Sequence, residues 1–277
     1  MAEQVAIGGF AEDAEADARF LARKRYLARR RRVLPLVAIL AFLFLWWQAV
    51  VQFDIKPFIA PSPIAVAQVL IDRFGILMTN LLPTAIEAVC GFILGNFAAI
   101  ALATAFVYSK TVEEALFPIA VMVNTIPVVA KAPILVLLLG NGMEPKIAIA
   151  AIICFFPTLV NMTRGLRDVR AEQLELMRIL SATSSEVFFR VRVPNALPYL
   201  FSALKIAAST AVIGAIVGEW IGSNFGIGAL IIQATYAFDS PMLYATIVVG
   251  STFSALFFGV ISLAERYMLR WHTVHRE

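Results

Sequence analysis

Stretches of about twenty apolar residues, nearly free of charge, alternate in this chain with short charged segments, and that alternation constrains the fold more than any other feature. A helix crosses the hydrocarbon core of a bilayer with about 20 apolar residues, and it leaves no backbone group unsatisfied there. The pattern predicts an all-α, polytopic membrane protein with six transmembrane helices at 34–53, 78–107, 115–139, 147–163, 199–220 and 241–264. Of 277 residues, 60% are hydrophobic and 15% charged, with a mean hydropathy of +0.82. A soluble domain averages about 45–50% apolar and 25% charged residues, so a soluble fold is excluded. The net charge of +4 is too small to point to nucleic acid. Three prolines in the third segment, Pro118, Pro127 and Pro133, predict a broken or kinked span, since proline removes a helical N–H and clashes with the preceding turn. Cys90 and Cys154 both fall in apolar runs and read as buried thiols.

Residues 1–33 form a charged segment, with Glu12, Asp13, Glu15 and Asp17 followed by a basic cluster from Arg23 to Arg32. The apolar run behind it is longer than the 7–15-residue core of a signal peptide, so it reads as an uncleaved signal anchor. Lys and Arg collect on the cytoplasmic side of membrane proteins. With the N-terminus inside, cytoplasmic segments hold 19 basic residues and outside segments three, Lys56, Arg73 and Lys146. Both termini are expected in the cytoplasm.

The longest cytoplasmic loop, 164–198, is the most informative segment. Leu174, Met177 and Leu180 recur at helical spacing. Thr183 and Glu186 fit a capping box that opens a second short helix, 184–192, expected to end before Pro194. That helix carries Val187, Phe188 and Val191 on one side, flanked by Arg190 and Arg192. Either it lies on the lipid surface, or it docks a cytoplasmic partner with an aromatic anchor such as Phe188.

At this point the chain resembles a known family. Glu175-Leu-Met-Arg-Ile-Leu-Ser181, followed by Val193-Pro194-Asn-Ala-Leu-Pro198, resembles the EAA loop of binding-protein-dependent ABC permeases. Leu176-Met177 stand where that motif has Ala-Ala, Ser181 where it has Gly, and Val193 where it has Leu. Pro61-Ser-Pro-Ile-Ala-Val, Gly91-Phe-Ile-Leu-Gly95, Asn124-Thr-Ile-Pro127, Ala132-Pro133 and Leu139-Gly140 follow, in order, motifs of the nitrate, sulfonate and taurine permeases. Glu144-Pro145-Lys146-Ile147, Phe155-Phe156-Pro157, Gly218-Glu219-Trp220 and Gly226-Ile-Gly228 continue the series. The Glu-Leu-Met-Arg loop, Gly218-Glu219-Trp220 and Glu87, where most sulfonate-type sequences carry Arg, look more like the thiamine-pyrimidine and riboflavin branch.

The resemblance implies the permease subunit of an ABC importer in the bacterial inner membrane. Its partners would be a cytoplasmic ATP-binding subunit dimer, a periplasmic solute-binding protein, a second permease copy and the lipid bilayer. The permease domain would cover 61–272 after a first span and linker at 34–60, with a tail at 273–277. The loop would supply the ATPase-coupling residues Glu175, Ser181, Ser184, Glu186, Val187, Phe188, Arg190 and Pro194. The solute would be a thiamine-pyrimidine precursor or riboflavin-like heterocycle, or else a sulfonate, taurine or nitrate.

Candidates for the translocation path are the polar residues of the spans and of the segment after the fifth: Glu87, Asn124, Lys131, Asn161, Gln233 and Tyr236. The alternative for Asn124, Asn161, Gln233 and Tyr236 is helix–helix hydrogen bonding. Glu87 and Lys131 lie at similar depth, which suits either an ion pair between them or a role in the path. Gly91 and Gly95 form a small-xxx-small pair suited to close helix approach. Residues 74–80 and 224–239 are expected outside, and Trp220 at the outer interface. No histidine falls within a span, and no Walker-type glycine loop occurs, so the expectation is no catalytic residue, cofactor or metal in this chain, with ATP hydrolysed by the partner. His272 and His275 read as a solvated tail. The rival reading, an ion-coupled secondary transporter, calls for an inverted repeat and more intramembrane carboxylates. Neither is present in the sequence.

Overall fold

The computed structural model describes residues 33–269 together with Arg23, Tyr26, Arg29 and Arg30. His272, His275 and the tail at 273–277 lie outside the described residues, as does most of the charged N-terminal segment. The described residues form helices and turns, without a strand among them.

Two compact units are present, Met1–Ala65 and Val66–Glu277. In the first, helix α1 spans Val33–Gln52. Its leucines and phenylalanines are exposed, a surface that lipid covers at no cost. Phe42 pairs with Trp46 and Phe44 with Trp47, at ring separations of 6.4 and 6.2 Å. Helix α2 is Pro63–Asp72. Along the second unit run α3 (Phe74–Tyr108), α4 (Lys110–Thr125), α5 (Val128–Leu139), α6 (Glu144–Arg167), α7 (Ala171–Ile179), α8 (Ser184–Val187), α9 (Val193–Glu219), α10 (Ile227–Tyr236) and α11 (Ser240–Met268). Among the described residues, five helical stretches are long and apolar enough to cross a bilayer, and α4 with α5, bent by 102° at the break between them, makes a sixth where the pair is counted as one span. The bend falls at Ile126-Pro127, where Ile126 is extended (φ −66°, ψ 128°), as a residue before proline prefers. Pro118 and Pro133 stay inside their helices.

The core is a seam of small residues where α3, α6 and α9 meet. A Cβ at Gly91 would stand 2.4 Å from Ala150 Cβ, and one at Gly95 2.3 Å from Ala151 O. On its other side Ala150 faces α9, where a Cβ at Gly214 would come within 2.8 Å of Ala150 Cα. Ala88, Ala207, Ala211 and Ala215 extend the seam around buried Cys154. Lipid supplies no hydrophobic force between helices, so association depends on this close packing.

One expectation needs correction. The helix opened at Ser184 does not end before Pro194. It passes through a π-helical turn, Phe188–Arg192, into α9, so that 184–219 is one continuous stretch. The Val193 N–H reaches back to Phe188 O, and this wider turn accommodates a proline that lacks an N–H. Within 224–239 the chain is helical again. Residues Ile227–Tyr236 form α10, and Ile227, Gly228, Ala229, Leu230 and Ala234 are buried.

Candidate functional site

Two polar assemblies occupy opposite ends of the α3–α6–α9 core. At the end where α9 hands over to α10, four buried charged or hydroxyl side chains converge: Thr84, Glu87, Lys146 and Glu219, none more than 5% exposed. Thr84 Oγ1 donates to Glu219 Oε1 at 2.5 Å and accepts from the Ile227 N–H at 2.8 Å. Glu219 Oε2 accepts from the Gly228 N–H at 2.6 Å, and Asn80 Oδ1 from the Gly226 N–H at 2.9 Å. These three N–H groups belong to the first turn of α10 and the residue before it, where a helix has no partners of its own. Side chains from α3 and α9 therefore cap α10, and the Glu219 carboxyl sits where the helix dipole favours negative charge. Gly226 has φ 117°, and a Cβ there would meet Glu219 Oε1 at 2.1 Å. Only glycine fits this approach.

Glu87 lies beside Glu219 and 3.9 Å from Lys146 Nζ. The expected Glu87–Lys131 pair is absent. Lys131 is half-buried on the first turn of α5 and makes no ion pair among the described residues. The reason is the bend at Pro127, which turns the second half of the third span away from the line that equal depth had assumed. Lys146, counted above among the outside basic residues, is 5% exposed and is the actual partner. Glu219, next to Trp220 at the end of α9, has no exposure at all. A cavity of about 390 Å³ opens beside this cluster, walled by Thr79, Pro83 and Glu87, by Asn141, Gly142, Met143 and Lys146, and by Gly222, Ser223, Asn224 and Phe225.

The remaining path candidates do not gather here. Asn124 is exposed near the end of α4 and lines a separate apolar cavity of about 210 Å³ with Leu102, Leu116, Phe155 and Phe156. Asn161 donates to Pro157 O in its own helix at 2.8 Å. Gln233 is exposed on α10, and Tyr236 is 81% exposed there.

At the opposite end, the cap of the α7–α8 segment is built as its sequence foretold, and the side chain that projects from it is reversed. Thr183 Oγ1 accepts from the Glu186 N–H at 3.3 Å while Glu186 Oε2 accepts from the Thr183 N–H at 2.9 Å, so the capping box is complete. Ser181, standing where the resembling motif has Gly, adopts φ 53°. The Ala182 N–H reaches Met177 O and the Ser181 N–H reaches Arg178 O, both at 2.9 Å. This is the Schellman closure of α7, whose left-handed position favours glycine. The reversal concerns the aromatic anchor. Phe188 is 7% exposed, packed 5.4 Å from the Tyr108 ring, so it braces the segment from within. The projecting ring is Phe189, 67% exposed, with Leu176, Ile179 and Leu180 exposed nearby in the chain on and just after α7. Glu175, Ser181, Ser184 and Arg190 are exposed, while Glu186, Val187 and Pro194 are half-buried.

This segment is laced to the ends of the core helices. Arg192 donates to Leu166 O at 2.8 Å, and Asn195 to Gly165 O and Asp168 O at 3.1 and 2.6 Å. These contacts satisfy carbonyls at the C-terminus of α6 that the helix leaves open. Arg167 forms a two-pronged pair with Glu113 of α4, at 2.6 and 2.5 Å, and donates to Phe106 O of α3 at 2.9 Å. Tyr199 of α9 donates to Asp168. These contacts join the stretch from 184 into α9 to the end of α6, and Arg167 joins α6 in turn to α3 and α4. No group of three or more His, Cys, Asp or Glu side chains able to hold a metal occurs among the described residues.

Residues 91–270 match the family model described as binding-protein-dependent transport system inner membrane component. The chain is 34% identical over 226 residues to the formylaminopyrimidine transport permease protein ThiX of Halalkalibacterium halodurans, which covers 81% of this chain and 90% of that one. It is 34% identical over 245 residues to the riboflavin transport system permease protein RibX of Chloroflexus aurantiacus, covering 86% and 90%. In fold it is similar to the crystal structure of an amino acid ABC transporter, with a TM-score of 0.58 at 16% identity, over 72% of this chain and 97% of that one.

Proposed function

The chain belongs to the binding-protein-dependent transport system inner membrane component family, and from that premise we propose that its α7–α8 segment receives an ATP-binding subunit and passes the stroke of ATP hydrolysis into the spans. It is the multi-pass inner-membrane permease subunit of an ABC importer. One observation carries the coupling reading: the capped helix that presents Phe189 continues unbroken into α9. Displacement of an exposed apolar ring thus becomes displacement of a span, without a hinge between them. Hydrolysis itself belongs to the ATP-binding subunit, this chain being non-catalytic. A binding protein delivers solute at the α9–α10 end, and two copies of the chain form the pathway between them. In this orientation the basic segments, including Arg164, Arg167, Arg170, Arg178, Arg190 and Arg192, face the cytoplasm. The relatives at 34% identity are named for a formylaminopyrimidine and for riboflavin, which favours a small nitrogen heterocycle as solute over a sulfonate or nitrate.

The test is co-purification with the cognate ATP-binding subunit. Phe189→Asp and Glu175→Arg are expected to abolish capture while inserting normally. Wild-type capture by Phe189→Asp would remove the coupling role of the segment. On a cysteine-free background, a cysteine at position 185 should label only from the cytoplasm and one at 224 only from the periplasm. The reverse pattern would overturn the orientation.

A further inference from the structure

At the other end of the core, two guanidinium groups line one cavity that holds no carboxylate. The cavity, of about 380 Å³, opens where the end of α3 meets α7 and the stretch from 184 into α9, and Tyr108, Arg178, Ser184, Val187, Phe188 and Arg192 stand in its wall. Arg178 is exposed in the last turn of α7, and its guanidinium makes no hydrogen bond or ion pair among the described residues. Half-buried Arg192 donates to Leu166 O at 2.8 Å and has no ion pair among those residues either. Carboxylates close by in the chain are engaged elsewhere. Glu186 accepts from the Thr183 N–H and sits 3.7 Å from Arg190, Glu113 holds Arg167, and Glu114 lies 3.6 Å from Lys110. Glu175, exposed on α7, forms no ion pair with Arg178. Two like charges in one concavity raise the local potential and draw in an anion. A guanidinium presents paired N–H donors that match the oxygens of a phosphate, and the hydroxyls of Tyr108 and Ser184 share the wall. Tyr108 is the last residue of a spanning helix, the position at which tyrosine meets the lipid headgroups.

We propose that this cavity binds a phosphate group between Arg178 and Arg192, carried by an anionic phospholipid of the adjoining leaflet or by a small phosphate ester in water. Bound there, the phosphate answers two charges that the described chain leaves unpaired, and it ties α7 to the stretch that becomes α9. Basic pockets at the ends of spanning helices take lipid headgroups on the same grounds. A carboxylate of an ATP-binding subunit suits the place less well, because Phe189, the ring exposed for such a partner, is not in this wall. The site rests on the geometry and charge of this chain and not on the coupling role of the segment.

The test is thermal unfolding of the purified full-length chain in detergent, titrated at equal ionic strength with dioleoyl-phosphatidylglycerol, dioleoyl-phosphatidylcholine or glycerol 3-phosphate. A saturable rise of the midpoint with phosphatidylglycerol, and none with phosphatidylcholine, whose choline cancels the charge, supports the site with lipid as its source. A saturable rise with glycerol 3-phosphate supports it with a soluble source. Arg178→Gln should weaken either response at least tenfold, and it should fold normally because the side chain has no partner to lose. Arg170→Gln removes an exposed charge that does not line the cavity, and it should leave the response unchanged. No saturable response to either anionic probe would overturn the proposal, as would equal responses to the two lipids. Equal weakening by Arg170→Gln and Arg178→Gln would overturn it too, since diffuse charge would then explain the binding. So would a response that survives Arg178→Gln while capture of the ATP-binding subunit is lost, which would assign Arg178 to that partner's surface. A chain that binds phosphate through Arg178 but never captures an ATP-binding subunit would refute the coupling and leave this site standing.

Discussion

Thr84 Oγ1 donates a 2.5 Å hydrogen bond to Glu219 Oε1, joining α3 to the last residue of α9. The same hydroxyl oxygen accepts from the Ile227 N–H at 2.8 Å, so one threonine ties three helices at a point with no solvent exposure. Losing it strands a buried donor and a buried carboxyl oxygen, and each such group costs about 1–3 kcal/mol. Thr84→Val, equal in shape, is therefore expected to lower stability by about 2 kcal/mol or more. Thr252→Val, whose exposed hydroxyl serves only its own helix, should leave it nearly unchanged. Thermal unfolding in detergent compares the two, and equal midpoints would dismiss the cap.

Glu87 and Lys146 make a second, related prediction. Removing one member of a buried ion pair costs about 3–5 kcal/mol, while replacing both with apolar groups is often near neutral. Glu87→Leu and Lys146→Leu should each reduce folded yield, and the double variant should recover much of the loss. Lys131→Leu should have no such coupling to Glu87. A double-mutant cycle that instead couples position 87 to 131 would mean that the third span bends differently.

Close packing of α3 on α6 is open to a volume test. A Cβ at Gly95 would stand 2.3 Å from Ala151 O, and one at Gly259 would meet nothing within 4 Å. Overpacking a tight contact costs about 1–3 kcal/mol. Gly95→Ala should destabilise by that amount and Gly259→Ala should not. If both behave alike in thermal unfolding, the small-residue seam is not what holds these helices.

Ser181 offers the opposite sign. Its φ of 53° strains a residue with a side chain, by roughly 1–2 kcal/mol in the left-handed region. Ser181→Gly should then raise stability by about 1 kcal/mol, and Ser181→Val should lower it. Denaturant-induced unfolding followed by a probe on α7 measures both. A stabilising valine would rule out the Schellman closure.

Much of this protein was legible without coordinates because the bilayer acts on sequence directly. Apolar length and charge spacing determined the spans, Pro127 determined the break in the third, and Thr183 with Glu186 determined the cap of α8 by local hydrogen bonding alone. Ser181 is intermediate. Its place in a motif was visible, but the need for a left-handed residue appears only in the closure of α7. Partners across helices were not legible. Glu87 meets Lys146 and Glu219, 59 and 132 residues further on in the chain, and depth along a span says nothing about rotation about its axis. Phe188 and Phe189 show the same limit at a single step, since the π-helical turn at 188–192 shifts the helical phase that decides which ring is buried. Sequence determined which segments cross the membrane and where their ends are capped. Tertiary structure alone decided which charges meet, because rotation of a helix about its axis is settled by packing between helices and not by any residue's own preference.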